Sequence, residues 1–193
     1  MATLNNKPQL NIHKRGTDDL KKVMVYGLDK SGKSTFVEQY CKDNNLNAVV
    51  IDVDDTNYTD MDLVNIDTNS PAGTLKSLIN TINAIADTDY DTIVLDGVTS
   101  LLEHLTGVGK GMNIYSERSK SWNMILRKMK NSNKNIIFVG QIDMAVSENE
   151  DAQPSKAIIH VNSIVNEKYH TYVTSKGNKK EYKVETEAYR IKE

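Results

Sequence analysis

The sequence predicts an α/β fold, in which helices cover both faces of a mainly parallel sheet and a C-terminal antiparallel hairpin extends it. Apolar runs of strand length recur along the chain, and a glycine-rich loop directly follows the first of them. The runs cover residues 22–26, 47–53, 90–96 and 135–141. Segments with helical patterning separate them, and strands that alternate with helices of about a dozen residues form parallel sheets with right-handed crossovers.

The sequence predicts one domain that starts at residue 21, and two helices in its first half. Residues 1–20 are polar and poorly periodic, so we expect an extended N-terminal arm there and a single domain over residues 21–193. A chain of 193 residues can bury a substantial core without disulfides. The predicted helices of this half cover residues 34–42 and, after a turn that contains Pro71, residues 73–86.

In the second half of the chain, the sequence predicts two loops in addition to a helix, a short apolar element and a hairpin. Three glycines between His104 and Tyr115 favour a flexible loop, and residues 116–130 have the apolar stripe of a helix, with Trp122 in the core. The polar residues 142–156 predict another loop. A short apolar element over 157–165 then precedes a hairpin, whose strands cover 169–174 and 180–189 with a turn at 176–179.

The loop after the first strand carries the most specific signal in the sequence. Residues 27–35 fit the phosphate-loop pattern GxxxxGK[ST] at every defined position. Gly27 and Gly32 permit positive φ, so that successive backbone N–H groups can surround a phosphate, and we expect Lys33 to lie against the β- and γ-phosphates. Ser34 would bind Mg²⁺. The predicted nucleotide-binding residues are Gly27, Leu28, Asp29, Lys30, Ser31, Gly32, Lys33, Ser34 and Thr35.

Three apolar strands end on polar side chains, which we expect to meet at one edge of a parallel sheet beside the phosphate loop. Asp54 follows the first, Asp96 ends the second and Gln141 ends the third. Phosphoryl transfer to water needs a Mg²⁺ ligand, a carboxylate that positions water and a group that senses the γ-phosphate. Asp96, Asp54 and Gln141 could fill these roles with Lys33, and Asp55 is an alternative to Asp54.

Composition and charge narrow the possible partners. The formal net charge of −2 argues against a uniformly basic nucleic-acid binder, and one cysteine allows no intramolecular disulfide or zinc site. No apolar run has membrane-spanning length, so we expect no membrane partner and a cytoplasmic location. The charge is uneven, however, because residues 43–67 are acidic and residues 104–134 are basic.

These motifs together resemble the RecA-type ATPase core in its small phage-encoded form. The matching stretches are residues 27–34, 50–54, 93–100 and 138–141, and the tail with residues 166–169 and 175–179 favours the subfamily. The chain from about residue 22 to 189 is similar to phage AAA/RecA-like proteins that include Sak-type single-strand annealing ATPases. The resemblance implies ATP and Mg²⁺ as cofactors and, for a phage-encoded protein, the host cytoplasm.

The resemblance also implies partners. Single-stranded DNA would contact the loops at 104–115 and 142–156, and Gln141 would report the γ-phosphate to a DNA-facing loop. The second loop is acidic, so DNA binding would depend mainly on residues 110–134, with Lys176, Lys179 and Lys180 as further candidates and Tyr115 as a stacking surface. The resemblance further implies a homo-oligomer with nucleotide at subunit interfaces, completed by a neighbour's Lys176, Lys179 or Lys180. A single-stranded DNA-binding protein is a further expected partner.

The function expected from the resemblance is an ATPase that assists annealing or strand exchange in phage recombination or replication. The family's usual catalytic glutamate is Asp54 here, one methylene shorter, so one alternative is an ATP-gated DNA-binding assembly protein with little turnover. A second alternative is a small nucleoside or nucleotide kinase. Such kinases need a lid of clustered arginines, whereas Arg15, Arg118, Arg127 and Arg190 are dispersed.

Overall fold

The computed structural model describes residues 20–56, 58–108, 111–143, 153–154, 160–176 and 179–189. The predicted N-terminal arm lies outside these residues except for Leu20. Most of the predicted loop at 142–156 and the centre of the hairpin turn also lie outside them.

Within the described ranges the sheet has eight strands, seven of which lie side by side in the order β3-β2-β4-β5-β1-β7-β8. The strands are β1 (Lys22–Gly27), β2 (Ala48–Asp52), β3 (Asp62–Asn65), β4 (Thr92–Asp96), β5 (Asn135–Asp143), β6 (Gln153–Pro154), β7 (Glu167–Lys176) and β8 (Lys179–Tyr189). The short β6 pairs only with β5. The pairings from β3 to β7 are parallel, and β8 returns antiparallel to β7, which confirms the predicted fold class.

Helices cover both faces of the sheet. Helix α1 (Lys33–Asp43) packs Val37, Tyr40 and Cys41 onto one face. Helices α2 (Pro71–Ala86), α3 (Val98–His104) and α4 (Ile114–Asn131) cover the other. Trp122 is fully buried on this second face, as predicted. The apolar strands of the centre are thus buried on both sides, which is why they have almost continuous apolar sequences.

The prediction of a flexible loop over residues 104–115 was wrong for the described part of this segment, residues 104–108 and 111–115, which is helical. Helix α3 begins two residues after β4, because Gly97 adopts a φ of +85° and turns the chain at once. Two 3₁₀ helices, Leu105–Val108 and Gly111–Asn113, then lead into α4. The side chain of Leu105 is fully buried, and an ideal Cβ on Gly107 would lie 2.5 Å from Pro71 Cγ. The glycines of this segment therefore include a site of close packing.

Smaller corrections concern α2 and β3. Helix α2 starts at Pro71 and not at residue 73, because Ser70 caps it by accepting a hydrogen bond from the Gly73 N–H at 3.2 Å. The sequence analysis did not predict β3, an edge strand whose residues are mostly exposed and which therefore has no continuous apolar pattern. The predicted hairpin extends the sheet through a parallel pairing of β7 with β1.

The burial of Leu105 gives a test of this corrected segment. We expect Leu105→Ala to lower the free energy of unfolding by about 2–5 kcal/mol, the usual cost of removing a buried leucine side chain. Chemical denaturation measures the change. Leu63→Ala on β3 is the matched control, because Leu63 is 44% exposed. Equal losses in the two variants would contradict a packed segment.

Candidate functional site

The phosphate loop joins β1 to α1, and a close approach fixes its first residue. Gly27 is the last residue of β1 and pairs with Thr171 of β7. An ideal Cβ on Gly27 would lie 2.2 Å from the Thr171 carbonyl oxygen, so no other residue fits without movement. Gly27 does not use the positive φ that glycine permits. Lys30 and Gly32 have positive φ in the loop, with values of 57° and 86°.

Lys33 folds back onto the loop that it follows. Its Nζ donates to the Leu28 carbonyl oxygen at 2.8 Å and to the Gly27 carbonyl oxygen at 3.4 Å. Partial burial lowers the pKa of Lys33, and the negative charges of Asp96, Asp29 and Asp54 oppose this change. The ammonium group therefore lies at the centre of an acidic site, where a polyphosphate would provide stronger charge partners than the two carbonyl groups.

Asp96 ends β4 in a buried position, with only 5% of its surface exposed. Its Oδ1 accepts a hydrogen bond from the Gly97 N–H at 2.7 Å, and its Oδ2 accepts one from the Tyr58 hydroxyl at 2.8 Å. Burial raises the pKa of Asp96 although both hydrogen bonds act to lower it. A buried carboxylate of this kind is a site at which a bound cation would offset the cost of desolvation.

Tyr58 lies beside the predicted Mg²⁺ ligand Asp96. Its hydroxyl donates to Asp96 Oδ2, and its pKa is raised by burial and by the charge of Asp96, while the nearby Ser34 hydroxyl acts to lower it. The sequence analysis missed this residue. Its only signal was an aromatic side chain in the polar stretch after the second strand, and no motif marks that position.

The stretch after β2 places two carboxylates at the site. Asp52 is buried and accepts the N–H groups of Asp54 at 3.1 Å and Thr56 at 2.7 Å, which fixes the turn. Asp54 and Asp55 are both exposed. Asp54 Oδ2 accepts a hydrogen bond from Ser100 Oγ at 3.1 Å, and an ideal Cβ on Gly97 would lie 2.8 Å from the Asp54 carboxyl carbon. Asp54 thus lies against the start of α3.

Gln141 lies on β5, between the phosphate-loop strand and the strand of Asp96. Its N–H donates to Thr99 Oγ1 at 3.0 Å, and the same hydroxyl donates to the Gln141 carbonyl oxygen at 3.1 Å. The side chain of Gln141 is exposed at the site. The backbone at residue 141 is therefore attached to α3.

One open cleft of about 1250 Å³ brings these residues together. Its lining includes Lys33, Asp54, Asp55, Asp96, Gln141 and loop residues 29–32, 34 and 35. Gly27 and Leu28 contribute their carbonyl groups to Lys33 instead. The hairpin forms another part of the lining with Tyr182, Lys183 and Val184, which the sequence analysis missed. Lys179 and Lys180 are exposed on β8 and do not line it, and the side chain of Lys176 lies outside the described residues.

The cleft suits a nucleoside triphosphate with Mg²⁺. A glycine-containing loop precedes the N-terminus of α1, a lysine is available for phosphate, and the Ser34 hydroxyl and the Asp96 carboxylate line the same cleft. Among the described residues, those of the cleft included, no group of three or more His, Cys, Asp or Glu side chains could hold a metal ion. Phosphate oxygens would therefore have to complete the coordination of Mg²⁺.

The fold and the cleft define a P-loop nucleotide-binding protein. A family model described as an AAA domain matches residues 20–185, which is most of the chain. The protein therefore belongs to the family of AAA domains and is an AAA-type P-loop ATPase. Comparison with curated proteins finds no match. Within the described part of the chain, no helix is both long and apolar enough to cross a membrane.

The buried carboxylate at the end of β4 predicts a pH dependence. Because the pKa of Asp96 is higher in the folded protein than in the unfolded chain, the folded state retains its proton to higher pH. The resulting stability is complete below about pH 4, the ordinary range of aspartate, and is lost as the pH rises through the folded-state pKa. In Asp96→Asn, we expect the free energy of unfolding of the nucleotide-free protein to fall less between pH 4 and pH 7.

Tyr58→Phe provides the opposite change. Removal of the hydroxyl that donates to Asp96 should raise the pKa of that carboxyl further and make the decline with pH steeper. Urea denaturation at a series of pH values measures both slopes. Slopes equal to that of the wild type in both variants would show that Asp96 does not cause the pH dependence.

Proposed function

We propose that this protein is an ATP- and Mg²⁺-dependent, RecA-like ATPase that binds single-stranded DNA as an oligomer and assists annealing or strand exchange, as phage annealing ATPases of the Sak type do. The observation that carries the proposal is the convergence of Lys33, Asp54, Asp96 and Gln141 in one cleft. These side chains come from the phosphate loop and from the carboxyl ends of three different strands. Together they provide the charges and donors that hydrolysis of a phosphoanhydride requires.

Each residue has a separable role in the proposed reaction. The loop N–H groups and Lys33 bind the phosphate oxygens and neutralise the charge that develops on the leaving group. Asp54, oriented by Ser100, holds the attacking water and accepts its proton. Ser34 and Asp96 would hold Mg²⁺, which would supply positive charge to the reacting phosphates. Gln141 contacts the γ-phosphate and responds to its loss.

DNA binding is proposed on α4, because its exposed face is basic. Lys120, Arg127, Lys128 and Lys130 are exposed, and the first three line a shallow groove of about 390 Å³ with Asn123, Met124 and Asn131. Tyr115 is 66% exposed near the start of α4, with the Arg118 guanidinium 5.0 Å from its ring centroid. Lysine and arginine would bind phosphates, while Tyr115 and Met124 offer surface to bases.

Part of the basic segment has structural contacts instead. Lys134 Nζ donates to the carbonyl groups of Thr88 at 2.8 Å and Tyr90 at 2.6 Å, so it attaches the start of β5 to the connection between α2 and β4. Lys120 pairs with Glu117 at 2.7 Å, an exposed pair that costs little to separate. The proposed DNA surface is therefore centred on Arg127, Lys128 and Lys130.

A packed path leads from the cleft to α4 and gives the proposal a means of coupling. Gln141 is bonded through its backbone to Thr99 of α3. Leu101, on the same helix, belongs to one buried cluster with Leu105 and Trp122, and Trp122 is part of α4. A movement of Gln141 on loss of the γ-phosphate would therefore be transmitted through tightly packed side chains.

Two exposed lysines on the hairpin and the lining of the cleft bear on the proposed oligomer and on the alternative functions. Lys179 and Lys180 are exposed on β8 and lie outside the chain's own cleft, which is consistent with a role in a neighbour's site. The described lining of the cleft contains no arginine, which disfavours the kinase. An ATP-gated DNA-binding protein with little turnover keeps the same cleft, and it differs from the proposal only in the activity of Asp54.

The first experiment measures ATP hydrolysis with and without single-stranded DNA, while light scattering follows the oligomeric state in the same buffer. We expect DNA to stimulate turnover by an assembled species. The double variant Lys128→Glu/Lys130→Glu should retain basal turnover, lose the stimulation and bind DNA with a weaker salt dependence, because fewer counterions are released. ATP bound without any response to DNA would contradict the recombination function.

Two controls make this result specific. Lys33→Ala should abolish turnover with and without DNA, which would show that the measured activity belongs to this cleft. Lys42→Glu reverses an exposed charge on α1, on the opposite face of the sheet, and should leave stimulation intact. Loss of stimulation in Lys42→Glu as well would assign the effect to overall charge and not to α4.

A second prediction separates the two carboxylates. Asp54→Asn should lower turnover by about a hundredfold or more, the usual contribution of a positioned base, with little change in ATP affinity. Asp55→Asn is the matched control, because Asp55 lines the same cleft and its left-handed backbone, with a φ of +55°, accommodates asparagine as well as aspartate. Single-turnover kinetics and equilibrium binding measure both effects. The reverse pattern would assign the catalytic role to Asp55.

A further inference from the structure

We propose that the ring of Tyr182, with Val184 beside it, is the platform on which the base of the bound nucleotide stacks. The inference rests on the proposed function and adds the part of the substrate that this function leaves without a binding site. It assigns a role to the C-terminal hairpin of the same chain.

Tyr182 and Asp96 lie on opposite sides of the strand that leads into the phosphate loop. Asp96 lies on β4, two strands from β1 on one side, and Tyr182 lies on β8, two strands from β1 on the other. Neighbouring strands are about 4.8 Å apart, so β4 and β8 are separated by about 19 Å with the phosphate loop between them. A triphosphate that extends from the loop toward Asp96 leaves the ribose and base on the side of β7 and β8.

The face of the hairpin to which Tyr182 and Val184 belong is covered in part by α1 and by the phosphate loop. Tyr182 pairs across the hairpin with Val173, and Val184 pairs with Thr171, so these residues share the face that includes Tyr169. On this face, Tyr169 packs against Phe36 and Tyr40 of α1, with ring centroids 5.0 and 5.6 Å away. Thr171 is buried against Ser31, with their hydroxyl oxygens 2.7 Å apart.

Tyr182 and Val184 continue the same face beyond these contacts but remain open. They are 61% and 46% exposed, respectively, and both line the cleft. The hairpin therefore presents an apolar strip that neither α1 nor the phosphate loop covers.

The Tyr182 ring also lies close to the phosphate loop. An ideal Cβ on Gly32 would lie 3.2 Å from Tyr182 Cδ1, so the ring lies directly beside the backbone that would bind phosphate. Phe36 and Gln39 of α1 line the same cleft. A base attached to the bound phosphates is thus the occupant that can reach the ring without any rearrangement of the sheet.

The chemistry of the contact is stacking of a heteroaromatic ring on a phenol ring, supported by the apolar Val184 side chain. Stacking of this kind accepts any base and contributes strongly to binding. It would allow the protein to distinguish a nucleoside triphosphate from a simple polyphosphate, which the phosphate loop alone cannot do.

The test compares the binding of Mg²⁺-ATP with that of Mg²⁺-tripolyphosphate by calorimetry. Tyr182→Ala should weaken binding of ATP by about tenfold or more, as loss of an aromatic stacking partner does, and should leave binding of tripolyphosphate unchanged. Tyr182→Phe should bind both ligands as the wild type does. Tyr172→Ala is the matched control, because Tyr172 lies on the opposite face of the hairpin, near His170, and should bind both ligands normally.

Each other outcome has a distinct meaning. Equal loss of ATP and tripolyphosphate binding in Tyr182→Ala would show that the ring supports the loop, and it would overturn the inference alone. Unchanged ATP binding would also overturn it, and loss of self-association at unchanged affinity would assign the ring to contact with a second copy. Wild-type protein that binds neither ligand would overturn the proposed function itself.

Discussion

The architecture of the site depends on one steric constraint, the contact of β7 with the end of β1. Residue 27 has no side chain, so the Thr171 backbone lies where a Cβ would otherwise be. The contact allows the Thr171 hydroxyl to reach Ser31 within the loop, and it brings the hairpin beside Gly32. The loop conformation and the outer part of the cleft therefore arise from the same packing, and a larger residue at position 27 would disturb both.

The sequence was sufficient to predict the residues whose position follows from strand periodicity and the phosphate-loop motif. The central strands are buried on both faces and have unmistakable apolar runs, so Asp96 and Gln141 were placed at the correct edge. The motif likewise located Lys33 and Ser34. Parallel strands with a common direction bring their carboxyl ends together whatever the intervening loops do, which is why distant residues could be grouped without a structure.

Other parts of the site depend on tertiary contacts that the sequence does not encode locally. Tyr58 lies in a polar stretch without periodicity, and its role arises only because α1 and β4 bring Ser34 and Asp96 to its hydroxyl. Tyr182 was assigned to a hairpin, but the register that directs it to Gly32 depends on the pairing of β7 with β1. The sequence analysis assigned no element to residues 98–103, where most of α3 lies, and took the glycines after them to indicate a loop, whereas Gly97 provides a sharp turn and Gly107 a close contact.

The two faces of the sheet also differ in the chemical probes that they contain. The chain has a single cysteine, Cys41, which is buried in α1, and burial raises the pKa of its thiol to about 12. The reactive thiolate is scarce at neutral pH, so alkylation requires α1 to separate from the sheet. The single tryptophan, Trp122, is buried beneath α4 on the other face. Thiol labelling and intrinsic fluorescence therefore report independently on the two helical layers of the unmodified protein, the first through α1 and the second through α4.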